Sequence, residues 1–156
     1  MITFRVAAFS DLDVATLYAW MALRQRVFVV EQNAAYQDAD GVDRHASHVL
    51  AFDGDLLVAG ARVIPAGVLY ADAAIGRVVC APEARGTGLG RRLMDEALAH
   101  LRARWGDVPV HISAQAYLHD FYASLGFVVD GEGYLEDGIP HWPMTRPASA
   151  WHPTSA

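Results

Sequence analysis

Arg85-Gly86-Thr87-Gly88-Leu89-Gly90 stands between a β-branched run, Ile75-Gly76-Arg77-Val78-Val79-Cys80, and a long amphipathic stretch that opens at Leu89. Three glycines in six residues let a backbone approach a ligand with no Cβ in the way. Free amides at the start of a helix, reinforced by its dipole, make an anion site suited to a pyrophosphate. A nucleotide P-loop would need Lys-Ser/Thr after the last glycine, where this chain has Arg91-Arg92. A dinucleotide fingerprint would need a glycine at Arg91 and an early place in the chain. The plain alternative is a glycine-rich turn that only packs.

Downstream, Leu89, Leu93, Ala97, Leu101 and Trp105 recur on one helical face, and Gly106-Asp107 ends the helix. Val108 to Ala116 then reads as a strand and Leu118 to Leu125 as a short helix stopped by Gly126. Phe127 to Val129 reads as the start of a strand, Gly131 to Gly138 as a turn-rich connection, and Ile139 to Thr145 as a last strand. Upstream, Thr3 to Phe9 has strand-like content. Ser10 or Asp11 can cap a helix whose apolar positions, from Leu12 to Phe28, continue through Val29. Asn33 to Arg44 is a polar loop. His48 to Phe52 and Leu56 to Ile64 flank Asp53-Gly54-Asp55, which predicts an antiparallel hairpin. Pro65 ends its second strand, having no amide for the ladder. This order predicts an α/β (mixed α+β) domain: one twisted mixed sheet of about six to seven strands, with helices on both faces.

Composition limits the function. Of 156 residues, 53% are hydrophobic, enough for one core without metal or disulfide staples. Cys80 is the only cysteine, so no intrachain disulfide is expected and a reducing, cytoplasmic setting is the natural one. Met1-Ile2-Thr3-Phe4-Arg5 lacks the basic start and apolar run of a signal peptide, and no apolar stretch is long enough to span a bilayer. A formal charge of -6 with no basic block argues against nucleic acid or an anionic membrane as partner.

Arg85-x-x-Gly88-x-Gly90 after a strand resembles the acyl-CoA motif of the GNAT acetyltransferases. Phe121-Tyr122-Ala123-Ser124-Leu125-Gly126-Phe127 is similar to that family's second motif, and the two occur in the family's order. Phe28 to Gln32, Tyr36-Gln37-Asp38, Ala114-Gln115-Ala116 and Glu136 to His141 resemble the ElaA branch. The resemblance implies a single GNAT N-acetyltransferase domain over residues 1–146, with 147–156 as a flexible C-terminal tail. It implies a sheet splayed at an acyl-CoA slot. Acetyl-CoA would be the co-substrate, a primary amine of a small molecule or peptide the acceptor, and a homodimer one option, with no metal.

Carried over, Val78, Val79 and Cys80 match the strand that pairs with pantetheine. Arg85, Gly86, Thr87, Gly88, Leu89, Gly90 and Arg91 match the pyrophosphate cradle. Phe121 and Tyr122 lie in the second motif, with Tyr122 near the thioester sulfur as a candidate acid for the leaving thiolate. Gln115 stands where many relatives carry asparagine. The candidate bases are Glu31, His111 and His141, each with a structural alternative, and proton loss to water would require none. Arg24, Glu31, Gln32 and His141 are candidate acceptor contacts. Arg24, Arg62 and Arg77, charged residues inside apolar segments, are expected to reach solvent or a partner carboxylate, although Arg24 or Arg62 can alternatively bind an acceptor carboxylate. Asp38, Asp40, Asp43, His45 and His48 fit neither an EF-hand nor a zinc helix. A strand cysteine such as Cys80 is expected to be a small hydrophobe, not a nucleophile. Two other functions stay open: a different acyl transfer on this fold, as in acyl-homoserine-lactone synthases, and a non-catalytic CoA-binding sensor.

Overall fold

Eight strands form one sheet in a computed structural model that describes residues 1–152. They are β1 (Ile2–Ala8), β2 (Ser47–Asp53), β3 (Leu56–Ile64), β4 (Ala73–Cys80), β5 (Val110–Gln115), β6 (Val128–Val129), β7 (Tyr134–Glu136) and β8 (Ile139–Arg146). The order is β1-β2-β3-β4-β5-β8-β6, with β7 paired to β8. All pairings are antiparallel except β4 with β5. The hairpin expected at Asp53-Gly54-Asp55 joins β2 to β3, and Gly54 supplies the positive φ (61°) of the turn. β7 arises inside the connection expected to be turn-rich.

Two helices clamp the sheet from opposite sides. Alternation along β2 sends Val49 and Ala51 to a core shared with Leu93, Met94, Ala97 and Leu101 of α2 (Leu89–Trp105). Leu50 points the other way, to Trp20, Leu23 and Val27. Trp20 and Leu23 belong to α1 (Val14–Arg24). Trp20 lies so close to Gly60 that a Cβ there would stand 2.4 Å from its ring, so this packing requires glycine.

The start of α1 differs from expectation. Phe9–Asp11 forms a 3-10 turn, and Asp13 is the cap, accepting from the Thr16 amide at 2.7 Å. The helix also does not stop at Val29. Gln25–Glu31 continues as a π-helix, ending with five-residue hydrogen bonds from Gln32 to Val27 and from Ala34 to Val29. The wider turn places Val27, Phe28, Glu31 and Gln32 along one cavity wall.

The segment expected as a flexible tail, 147–156, begins with a 3-10 turn, Ala148–Trp151. Trp151 joins the main core, donates Nε1–H to the Val108 carbonyl at 2.8 Å and lies under the Arg146 guanidinium. Residues 153–156 lie outside the described residues. No helix among the described residues is long and apolar enough to cross a membrane.

Candidate active site

The glycine-rich turn builds an open helix start. Gly86 (φ 78°) and Gly88 (φ 80°) are left-handed, a backbone that side-chain-bearing residues rarely adopt. Gly88 is the N-cap of α2, and no side chain caps the helix. Thr87 turns its hydroxyl back to the Ala84 carbonyl at 2.8 Å, and the first turn closes from Arg92 N–H to the Gly88 carbonyl. The earlier amides of α2 have no partner within the helix, and the positive end of the helix dipole lies behind them, which makes this helix start a candidate anion site. Arg85 flanks this cradle, held by Glu31 at 2.7 Å. Arg91 points away, to Ser124 at 2.6 Å.

A slot runs from that turn into the sheet. β4 and β5 pair only at Ala73 with Val110 and Ala74 with His111. Beyond those residues the edge of β4 toward β5 has no ladder partner. A β-bulge helps to part the strands: the register against β3 shifts between Gly60 and Arg62, and Arg77 has a positive φ of 48°. The resulting cavity, about 670 Å³, lies between Gly76–Cys80 on one side and Ile112, Ser113 and Gln115 on the other. Gly86, Gly88, Leu89 and Gly90 form its outer end.

Tyr122 lines the slot from α3 (His119–Ala123). It is 6% exposed, wedged edge-on between Phe121 and Phe127, and its hydroxyl has no hydrogen-bond partner among the described residues. Burial pushes its phenol well above the ordinary value, so it holds its proton across the neutral range. Burial also raises the Cys80 thiol, outweighing the nearby Arg85, which keeps it a neutral packing group. Gln115 and Gln32 exchange two amide hydrogen bonds, at 3.1 and 3.2 Å, across the cavity wall.

The far end is polar. Arg24, fully buried, pairs with Asp38 at 2.9 Å and Asp43 at 2.6 Å. Arg62 pairs with Asp40 at 2.8 Å, and Arg77 with Asp38 at 2.8 Å. Burial pushes the Asp40 carboxyl up, but the hydrogen bonds and charge of Arg62 outweigh it and hold the group at about 2. His141 is 7% exposed. Its Nδ1–H donates to the Ile139 carbonyl at 2.7 Å, and Nε2 lies 3.4 Å from Glu136. Glu136 is also 3.4 Å from the Ser113 hydroxyl, which bonds the Tyr134 hydroxyl.

Residues 10–147 match the acetyltransferase (GNAT) domain family. The chain belongs to the GNAT family. Protein ElaA of Escherichia coli (strain K12) is 45% identical over 139 residues, covering 88% of this chain and 91% of ElaA. The crystal structure of Escherichia coli ElaA matches with a TM-score of 0.88 at 42% identity, over 94% of this chain and 99% of that one. An acyl-CoA N-acyltransferase from Pseudomonas aeruginosa matches at 0.87 and 41%, over 92% and 99%. A CoA-dependent acyl-homoserine lactone synthase, BjaI, solved with SAM and isopentyl-CoA, shares the fold alone, at 0.76 and 18% identity over 93% and 82%. This GNAT chain is an ElaA-like acyltransferase, and the site described above lies where its two sequence motifs converge.

Most of the residues singled out in the GNAT motifs meet at this one cavity: Val78, Val79, Cys80, Arg85, Gly86, Gly88, Leu89, Gly90, Gln115, Phe121 and Tyr122 line it, as do Glu31, Gln32 and His141. Four do not. Thr87 and Arg91 are turned to the protein. His111 lies behind the wall, its ring 4.2 Å from that of Tyr70, and burial lowers its pKa. Arg24 is not available to an acceptor, because two aspartates surround it in the core. The aspartates expected as a polar loop are these ion-pair partners. Among the described residues no cluster of His, Cys, Asp and Glu is arranged to hold a metal. Sequence reasoning quoted Glu136, Asp137 and Tyr36 only for the family resemblance and gave them, like Ser113 and Tyr70, no place in the site, yet all five line the cavity. The Asp137-Gly138 turn between two short apolar-polar runs was the signal for the hairpin that carries the first two.

Proposed function

We propose that the chain is an N-acyltransferase that moves an acetyl group from acetyl-CoA to a primary amine by direct attack. One observation carries this reading: an uncapped helix start at Gly88 opens into a slot whose wall presents the free hydroxyl of Tyr122. The amides of Leu89 and Gly90 take the diphosphate. The unpaired edge of β4 accepts the pantetheine amides in the manner of an added strand, and an amide near Val79 polarises the thioester carbonyl. The neutral amine nitrogen attacks the carbonyl carbon, a C–N bond forms, the nitrogen releases its second proton to water, and the C–S bond breaks. Tyr122 gives its proton to the departing thiolate and is reprotonated from solvent.

The acceptor ammonium must first lose a proton. His141 is placed for this, because Nδ1–H is committed to Ile139 and Nε2 remains as the acceptor on the cavity side. Glu31 is tied to Arg85 beside the cradle, a role that suits donor binding.

The test is release of free thiol from acetyl-CoA with a panel of amines. Tyr122→Phe should slow turnover about a hundredfold, in the range of a lost general acid, with CoA affinity kept. An unchanged rate removes Tyr122 as the acid. Tight CoA binding without acceleration by any amine favours the sensor reading. Transfer of a longer acyl chain is the second reading, favoured by the apolar side chains of Ile64, Leu69, Ile75 and Ile112, which also line the cavity. A donor chain-length profile in the same assay separates the two.

A further inference from the structure

The guanidiniums at the far end of the cavity, beyond Val78, are matched by carboxylates of the loop. Arg24, Arg62 and Arg77 face Asp38, Asp40 and Asp43, three guanidiniums against three carboxylates, all within 3.4 Å of a partner. The Arg62 Nε–H, which lacks a partner, is itself buried, and both Nη groups of that guanidinium are committed to Asp40. No two-pronged guanidinium edge is therefore open to a carboxylate. Arg85 is neutralised by Glu31 at the other end of the slot.

What remains charged on the wall is acidic. Glu136 and Asp137 line the cavity from the hairpin between β7 and β8, and no arginine or lysine pairs with either. Between them and the sheet sits His141, nine-tenths buried and stacked on Tyr134, with Nδ1–H held by the Ile139 carbonyl and Nε2 3.4 Å from Glu136. Two carboxylates with no arginine against them, on a cavity whose guanidiniums are all paired already, point to a bound group that carries positive charge.

We infer that the acceptor is a small diamine or polyamine. One nitrogen reacts beside His141, and a second ammonium is held by Glu136 and Asp137. This rests on the N-acyltransfer reading above. It excludes as preferred substrates amines that carry a carboxylate at the second end, because the cations that might have bound one are already paired.

Three four-carbon amines isolate the second end: putrescine with an ammonium, n-butylamine with no charged group, and γ-aminobutyrate with a carboxylate. With the full chain and saturating acetyl-CoA, kcat/KM should fall in that order, by about tenfold from putrescine to n-butylamine, the value of one charge-assisted hydrogen bond. Glu136→Gln with Asp137→Asn should cut the preference for putrescine over n-butylamine about tenfold. Asparagine tolerates the left-handed backbone at position 137 (φ 51°), so the hairpin is retained. Equal use of putrescine and n-butylamine, or a preference for γ-aminobutyrate, overturns the inference and leaves N-acyltransfer standing. Absence of thiol release with every amine in the panel overturns both.

Discussion

Gly90→Ala separates what the glycine-rich turn does for the fold from what it does for the ligand. Gly90 is the second residue of α2 and has an ordinary negative φ. A methyl group there would lie 3.8 Å from Phe121 Cζ and 3.9 Å from Cys80 Sγ, normal van der Waals distances. The fold therefore accepts it without displacement. Glycine costs a helix roughly 0.5–1 kcal/mol relative to alanine, and the first turn sits at the low end, so the variant should gain about 0.5 kcal/mol. For a chain of this size that raises Tm by about 1–2 °C. The same methyl stands where phosphate oxygens must approach the first amides. Loss of one charge-assisted hydrogen bond, about 1.5–3 kcal/mol, weakens CoA by about tenfold to a hundredfold. Thermal melts without ligand give the first number and calorimetric titration with CoA the second. Pantetheine, which lacks the diphosphate, serves as a control and should bind both proteins alike. A more stable variant that binds CoA as before would show that the helix start does not hold the diphosphate. An equal loss for pantetheine would place the damage in the slot instead.

Removing Arg24 as Arg24→Met leaves Asp38 and Asp43 buried without their cation. The cost of such a broken pair is about 3–5 kcal/mol, or roughly 10 °C in Tm, with Arg24→Lys intermediate; a change below about 1 kcal/mol would mean the network relaxes to water. Acid should weaken the fold in two stages. His48 is kept neutral below the ordinary 6.5, chiefly by burial, with Nδ1 accepting from Trp20 and Nε2–H donating to the Asp43 carbonyl. The unfolded chain therefore binds the extra proton, and stability present above about pH 6.5 declines as pH falls through that value. Asp40, held at about 2 against an ordinary 3.8, adds a second loss as pH falls below 3.8 toward 2, and Asp43 acts in the same direction. Urea midpoints measured from pH 8 to pH 2 check both stages; a midpoint that rises between pH 7 and 5 refutes the first.

The parts of the fold legible in the sequence are those whose signal is local. The period of Leu89, Leu93, Ala97 and Leu101 marks α2 because one face is fully buried, and Asp-Gly marks the hairpin because its turn needs a positive φ. β7 was hidden by its length: three exposed residues show no alternation to read, and only the ladder to β8 makes them a strand. The π-helix was hidden because apolar spacing does not distinguish a four-residue from a five-residue hydrogen bond over seven residues. Composition suggested a loose end after Arg146, and within the described residues Trp151 packs there against a guanidinium face and the Val108 carbonyl.

The candidate site divides in the same way. The cradle and Tyr122 were legible because each motif is contiguous. The far wall was not, since it draws on the π-helical segment Gln25–Glu31, the loop over residues 33–44, β3, β4 and the β7–β8 hairpin. That wall has two halves with different tolerance. The loop buries little apolar surface and is fastened by three guanidiniums, each from a different element, so a charge change at Asp38 or Asp43 leaves buried Arg24 short of a partner and costs stability. The β7–β8 hairpin carries exposed acids and hangs on one strand, so its side chains can change at little cost to the core. Substitutions that alter acceptor choice without unfolding the protein therefore belong at residues 134–138. The ion-pair network under the loop sets the shape of the pocket, and the hairpin sets its charge.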